Sequence, residues 1–149
     1  MLKTNEGVRR KVYKDSLGIK TIGVGENMER AGARERFVSR GLDFDGLLAG
    51  KVQLTDAQID SLLDEEINTC VRDLEDRFAA FHDFPEAAQL VLIDLRFNLG
   101  AAGLSTFVNT LRAFKEFRFK DAAANLLKSK YASQVGPRAQ RNAKLLNDI

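Results

Sequence analysis

The sequence predicts a mainly α-helical α+β fold: a small N-terminal lobe with a β-hairpin or three-stranded sheet, a long connecting helix and an all-α C-terminal lobe. Three observations support this prediction. Two short strand-forming runs flank a glycine-containing turn near the N-terminus. A capped apolar pattern of helical period occupies the middle of the chain. The last third consists of helical segments separated by glycine or proline.

The N-terminal lobe begins with a short helix over residues 2–8 that stops near Gly7. Strands are predicted over 10–15 and 19–24, because β-branched residues flank the turn Ser16-Leu17-Gly18. The glycines on either side of Val24 indicate a bend or a close approach of backbone. The other predicted helices, apart from the connecting one, cover residues 33–40, 86–99, 106–117, 121–130 and 137–146.

The connecting helix has the strongest local signal in the chain. Thr55 followed three residues later by Gln58 is a capping box, and apolar residues recur behind it at i, i+3 and i+4. The helix is predicted over about residues 56–80, roughly 35–40 Å long at 1.5 Å per residue. A helix of this length exceeds the width of a small lobe, so a single domain of 1–149 is predicted, with a cleft between two lobes: approximately 11–55, and 80–149 plus 1–10.

Composition excludes several classes of protein. The single cysteine, Cys70, lies in an apolar helical run, which predicts a buried, inert thiol and no internal disulfide. No apolar run approaches the roughly 20 residues of a membrane span. The N-terminus lacks the apolar core of a signal peptide, which predicts synthesis in the cytoplasm. No metal-binding or nucleotide-binding motif occurs, so neither a metal nor a cofactor is expected.

The formal net charge is only +2, but basic residues are concentrated between residues 112 and 141. Such a surface favours an anionic partner, and nucleic acid, anionic lipid and bacterial cell wall all qualify. The charge by itself is better explained by an ordinary solvated surface than by an anionic partner. Because no recognisable nucleic-acid-binding motif occurs, a nucleic-acid partner is not predicted.

The first 25 residues contain the candidate chemistry. Glu6, Asp15 and Thr21 place two carboxylates and a hydroxyl around one short helix and one hairpin. Such a set can hold a proton donor and a water on opposite sides of a scissile bond, as glycoside hydrolysis requires. The two carboxylates also have simpler readings: Glu6 as a solvated surface residue, and Asp15 as a turn residue that caps the hairpin through its side chain.

The run from Asn5 to Gly25 resembles the active-site segment of the T4-type phage lysozymes, glycoside hydrolase family 24. The resemblance continues through the long helix to the C-terminal helices and covers nearly the whole chain. It is carried there by Phe97-Asn98-Leu99-Gly100 and by the segments 107–111, 122–126 and 137–141. It implies a lysozyme fold and a muramidase that inverts the anomeric carbon, as in that family, and that cleaves the β-1,4 bond between N-acetylmuramic acid and N-acetylglucosamine.

The resemblance also implies roles for individual residues. Glu6 would be the general acid, Asp15 its ionised partner, and Thr21 would position the attacking water. Arg138, which follows Pro137, would orient Glu6 and help to hold the lobes together.

Substrate contacts are implied for three residues of the C-terminal lobe. Phe97 would line the cleft and contact sugar, although a core position is equally compatible with its helix. Thr110 and Asn125 would hydrogen-bond saccharide or peptide groups. Tyr13 is expected to pack within the hairpin.

One position departs from the family pattern. Glu26 follows the Gly-x-Gly run where a histidine is expected, and Glu66 aligns with that histidine's acidic partner. Two facing carboxylates would repel each other or share a proton unless an arginine joins them. Arg30, Arg34 and Arg72 are the candidates for that arginine.

The sequence therefore predicts a monomeric endolysin that acts on bacterial peptidoglycan and whose release depends on a separate membrane-permeabilising protein. The alternative is a non-catalytic wall-binding or structural module with the same fold. The presence of Glu6, Asp15 and Thr21 together argues against that alternative, because binding alone does not require all three.

Overall fold

The computed structural model describes residues 1–149, which form two compact units, Met1–Glu65 and Glu66–Ile149. It confirms a mainly α-helical α+β fold with one small antiparallel sheet. The assignment of residues 1–10 to the helical lobe stays a prediction. The elements are α1 (Leu2–Glu6), β1 (Arg9–Lys14), β2 (Lys20–Gly23), β3 (Glu26–Asn27), α2 (Ala33–Val38), α3 (Phe44–Leu48), α4 (Asp56–Arg77), α5 (Glu86–Ser105), α6 (Val108–Lys115), α7 (Phe119–Lys128), α8 (Lys130–Val135) and α9 (Pro137–Asn147).

The sheet of the first unit confirms the predicted hairpin. Its three strands follow one another in the order β1-β2-β3, each antiparallel to the next. Tyr13 lies opposite Thr21, which in turn lies opposite Asn27, so these residues form one row across the sheet. The pairing of β1 with β2 is irregular between Arg9 and Tyr13. Such an irregularity re-aims the side chains beside it.

No helix or strand is predicted from the sequence over residues 42–51, and the structure has the short helix α3 there. The helix forms because the Asp43 side chain accepts a hydrogen bond from the backbone N–H of Gly46 at 3.0 Å, which caps its first turn. Phe37 of α2 and Phe44 of α3 are buried, and their rings meet edge to face at 5.6 Å. This contact ties the two helices together.

Helix α4 begins as predicted. The Gln58 side chain accepts a hydrogen bond from the Thr55 N–H at 2.9 Å, and the Gln58 N–H donates to the Thr55 hydroxyl at 3.1 Å. This reciprocal pair is the capping box read from the sequence.

The predicted end of α4 near residue 80 is wrong, because the helix stops at Arg77. The chain then turns, and residues Phe81–Asp83 form a single 3-10 turn. Phe78, Phe81 and Phe84 are all buried, and the rings of Phe78 and Phe84 lie 5.6 Å apart. The three rings pack in one core although the chain has left the helix, so the apolar pattern continues past the end of the helix itself.

Helix α5 is the central helix of the second unit. Val91, Leu92 and Leu95 are fully buried in a core that also includes side chains of α4, α6, α7 and α9. Gly100 has φ 73° and ψ 172°, so the first helical segment stops there as predicted and a second short segment follows. By length and mean hydropathy alone α5 could span a membrane. Its packing in this core accounts for the apolar composition.

The C-terminal helices differ from the predictions in one place. Ser129 is extended, with ψ 160°, and separates α7 from α8, a helix that the sequence did not indicate. Tyr131 of α8 is buried, which explains why this segment folds back onto the core. Helix α9 begins with Pro137 in its first turn, as predicted.

Two side chains of the second unit, Asp73 and Cys70, have shifted pKa values. The Asp73 carboxylate accepts hydrogen bonds from Arg77 at 2.9 Å and from Arg96 at 2.6 Å. Burial opposes ionisation of Asp73, but the two guanidinium groups outweigh it and lower the pKa of the carboxyl. Cys70 is buried as predicted, and burial raises the pKa of its thiol to about 11. The thiol is therefore protonated and inert at neutral pH.

Candidate active site

Glu6 is the last residue of α1, and its side chain lies directly on the backbone of Gly25. A Cβ atom added to Gly25 would stand 2.8 Å from Oε2 of Glu6, closer than real Cβ atoms approach other atoms, and 3.1 Å from Cδ. Gly25 also has φ +64°, which other residues rarely adopt. Gly25, one of the two glycines at which the sequence indicated a bend or a close approach, therefore provides the space for the Glu6 carboxyl group.

Asp15 follows β1 at the turn of the hairpin. Its Oδ1 accepts hydrogen bonds from the N–H groups of Leu17 at 2.8 Å and Ile19 at 2.9 Å. The turn-capping reading of Asp15 is thus correct, and it does not exclude a chemical role. The two bonds fix the orientation of the carboxylate and use only one of its oxygens, so Oδ2 remains able to accept a proton or a hydrogen bond.

Thr21 lies on the central strand and is 4% exposed. Its hydroxyl donates to the carbonyl of Ile19 at 2.9 Å, so the hydrogen is committed to the backbone. The lone pairs of the oxygen remain as acceptors, and a water that donates to this oxygen would be held in a fixed place.

Tyr13 lies near Glu6, Asp15 and Thr21. It lies opposite Thr21 across the two strands. Burial raises the pKa of the Tyr13 phenol, and the Glu6 and Asp15 carboxylates raise it further, whereas Arg9 lowers it. Both carboxylates therefore act on the same phenol. Tyr13 does lie within the hairpin as predicted, but sequence reasoning missed its proximity to both acids.

Beside this hairpin, Glu26 is buried and forms a two-pronged ion pair with Arg36, in which the second contact, Nη2 to Oε1, is 3.1 Å. The Arg36 Nε also donates to Glu65 at 3.0 Å, so one guanidinium joins Glu26 to the long helix. Arg36 was not among the arginines named for this role, and an arginine from Arg30, Arg34 or Arg72 between Glu26 and Glu66 stays a prediction. Arg36 presents its guanidinium from α2, which sequence spacing could not indicate.

Two of the three candidate arginines, Arg34 and Arg72, have partners elsewhere. Arg34 pairs with Asp45 at 2.9 Å and lies over the ring of Phe44. Arg72 is directed to the hydroxyl of Thr69 on its own helix at 3.4 Å. No group of three or more histidine, cysteine, aspartate or glutamate side chains is arranged to hold a metal ion.

Arg138 is buried in the second unit, where it meets a carboxylate that sequence reasoning missed. Asp94 of α5 is fully buried and accepts two hydrogen bonds from Arg138, at 3.0 Å from Nε and 2.8 Å from Nη2. Asn142 adds a third hydrogen bond to this carboxylate at 2.8 Å. An acidic residue in an otherwise apolar helix was the available signal, because a buried charge requires a partner.

The three predicted substrate contacts lie on separate helices of the second unit. Phe97 on α5 is half-buried, Asn125 on α7 is half-buried, and Thr110 on α6 is 4% exposed. The burial of Thr110 leaves only a small part of its surface available for a ligand.

Comparison with known proteins identifies relatives of this chain. The Phage lysozyme family model matches residues 3–144. Probable T4-type lysozyme 1 of Dictyostelium discoideum is 22% identical over 95% of this chain and 88% of its own length. Peptidoglycan hydrolase gp36 of Enterobacteria phage SP6 is 28% identical over 85% of this chain but only 13% of its own length. Because the family model matches nearly the whole chain, the chain belongs to the phage lysozyme family.

Proposed function

We propose that the chain is a peptidoglycan hydrolase, a muramidase that cleaves the β-1,4 bond between N-acetylmuramic acid and N-acetylglucosamine. The observation that carries this proposal is the cluster around the first hairpin. The Glu6 carboxyl lies on Gly25, and Asp15, Thr21 and Tyr13 belong to the same two strands and their turn. Membership of the phage lysozyme family and the similarity to a phage peptidoglycan hydrolase support the same substrate.

In the proposed reaction Glu6 is the general acid and donates its proton to the glycosidic oxygen as the bond breaks. Asp15, fixed by its two backbone hydrogen bonds, remains ionised and accepts a proton from the attacking water. The Thr21 oxygen accepts a hydrogen bond from that water. Attack by water on the face opposite the leaving group inverts the anomeric carbon.

The other predicted residues complete the proposal. Arg138, held by Asp94, acts as a supporting residue for Glu6. Phe97, Thr110 and Asn125 bind sugar or peptide groups of the substrate. No cofactor takes part in this scheme.

The test compares Glu6→Gln with the unmodified chain in the clearance of peptidoglycan suspensions. We expect loss of activity with an unchanged thermal midpoint, because glutamine keeps the shape of the side chain and removes the proton donor. Glu35→Gln is the matched control, since Glu35 is exposed on α2. Full clearance by Glu6→Gln would refute the assignment of the acid.

Analysis of the products separates the candidate reactions. Reducing N-acetylmuramic acid ends identify a muramidase, whereas anhydro ends identify a transglycosylase. The anomeric form of the first product, followed by NMR in early digestion, distinguishes inversion from retention. Binding to sacculi without release of any ends would instead support the non-catalytic module, the second candidate function.

We further propose that the enzyme acts as a monomer and serves as an endolysin in the lysis of a host cell. It would be made in the host cytoplasm and reach the cell wall after a separate protein permeabilises the membrane. Expression of the chain in a bacterial cytoplasm, with and without chemical permeabilisation of the membrane, tests this order of events.

A further inference from the structure

Arg9 and Arg10 are adjacent in β1 but have different surroundings. Arg10 pairs with Asp56 through two hydrogen bonds, at 3.0 Å from Nε and 2.9 Å from Nη2, so its charge is neutralised within the protein. Arg9 is exposed and has no carboxylate in an ion pair. Its guanidinium carbon lies 5.3 Å from the centroid of the Tyr13 ring. Arg9 is therefore held in place without being neutralised.

The contact with Tyr13 leaves the guanidinium able to bind an anion. The guanidinium carbon lies over the ring as a cation–π contact, and the N–H groups along the edge of the guanidinium remain able to donate hydrogen bonds. That edge matches a carboxylate with two parallel hydrogen bonds. The ring reduces the freedom of a long side chain, which lowers the entropy lost when the anion binds.

This cation belongs to the candidate active site. The Tyr13 ring on which it rests lies opposite Thr21, and the phenol is close enough to Glu6 and Asp15 for both carboxylates to affect its ionisation. A carboxylate at a site repels an anionic substrate, and a neighbouring unpaired guanidinium offsets that repulsion. An uncharged glycan would gain little from Arg9.

We propose that Arg9, held over the Tyr13 ring, forms a subsite that binds a carboxylate on the peptide substituents of peptidoglycan. The inference rests on the proposed function, because it identifies which chemical group of that substrate the site recognises. Tyr13 is the positioning residue in this subsite, and Arg9 makes the contact.

Binding is tested with two short probes. The first is the disaccharide N-acetylglucosaminyl-N-acetylmuramic acid with its tetrapeptide, which is anionic and lacks the bond that a muramidase cleaves. The second is tetra-N-acetylchitotetraose, which is uncharged. Each is titrated into the full chain at low and high salt, and affinities are read from saturable backbone amide shifts in NMR spectra.

For Arg9→Gln we expect about tenfold weaker binding of the anionic probe, a smaller salt dependence, and unchanged binding of the uncharged probe. Arg9→Lys should recover part of the lost affinity, because the charge remains and the planar fork is lost. Lys14→Gln is the control, since adjacent residues of a strand point to opposite faces and Lys14 neighbours Tyr13. It removes one positive charge from the other face and should leave both affinities unchanged.

Equal loss of affinity for both probes in Arg9→Gln, or no loss for either, would overturn the subsite. So would an equal effect of Lys14→Gln, which would indicate only a general charge effect, or failure of the anionic probe to bind the unmodified chain. These readouts involve no turnover. The Glu6→Gln clearance assay can therefore fail while the subsite stands, and the reverse also holds.

Discussion

The contact between Gly25 and Glu6 gives the sharpest prediction from this structure, through the variant Gly25→Ala. A new Cβ would stand 2.8 Å from Oε2 of Glu6. Ordinary contacts between heavy atoms lie at about 3.5–4.0 Å, so the carboxyl group must move by about 1 Å. The atom in the way is the far end of a flexible side chain, so the side chain moves more readily than the backbone.

The substitution should change the folding free energy and the catalytic rate by different amounts. Holding alanine at a φ of +64° costs about 1–2 kcal/mol of folding free energy. For a chain of this length that loss lowers Tm by about 2–8 °C. A displacement of about 1 Å in a catalytic group costs about 100-fold in rate. We therefore expect a modest loss of stability and a much larger loss of activity.

The assay measures initial rates of peptidoglycan clearance and Tm for Gly25→Ala beside Gly41→Ala. Gly41 has φ +74° and would meet no atom within 4 Å of an added Cβ, so it carries the same backbone cost without the contact. Gly41→Ala should lose a similar amount of Tm and keep its activity. If Gly25→Ala keeps as much activity as this control, the reasoning about Glu6 is refuted.

Two further predictions concern the second unit. Asp73→Asn should lower the free energy of unfolding by about 1–2 kcal/mol at pH 7, because the carboxylate loses its charge-assisted hydrogen bonds with two arginines. Since folding lowers the pKa of Asp73, its contribution is present above the unfolded pKa near 3.9 and disappears as pH falls through the folded pKa. Urea titrations from pH 7 to pH 2 should therefore show the two proteins converging, and a constant difference would contradict this. Asp94→Ala should cost about 3–5 kcal/mol, because Arg138 is buried and loses the carboxylate that accepts two of its hydrogen bonds. A loss below 1 kcal/mol in urea unfolding would show that this pair contributes little.

Much of the fold was predictable because its signals are local. The hairpin around Ser16-Leu17-Gly18, the capping box of α4, the end of a helix at Gly100 and the start of α9 at Pro137 each depend on a few adjacent residues. The predictions are wrong where packing between residues that are far apart in the sequence decides the secondary structure. Helix α4 ends before the buried Phe81 and Phe84, and α8 forms where Tyr131 is buried in the core.

The sequence by itself determined which residues carry the candidate chemistry, because Glu6, Asp15 and Thr21 lie in one short segment with a readable turn. Only the tertiary structure decided their surroundings. It placed Glu6 on Gly25, Tyr13 beside Arg9, Glu26 on Arg36 and Asp94 on Arg138. The physical reason is that turns and caps depend on neighbours in the chain, whereas the partner of a long side chain depends on where other elements pack. Many arginines have the right charge, and only three-dimensional proximity selects one of them.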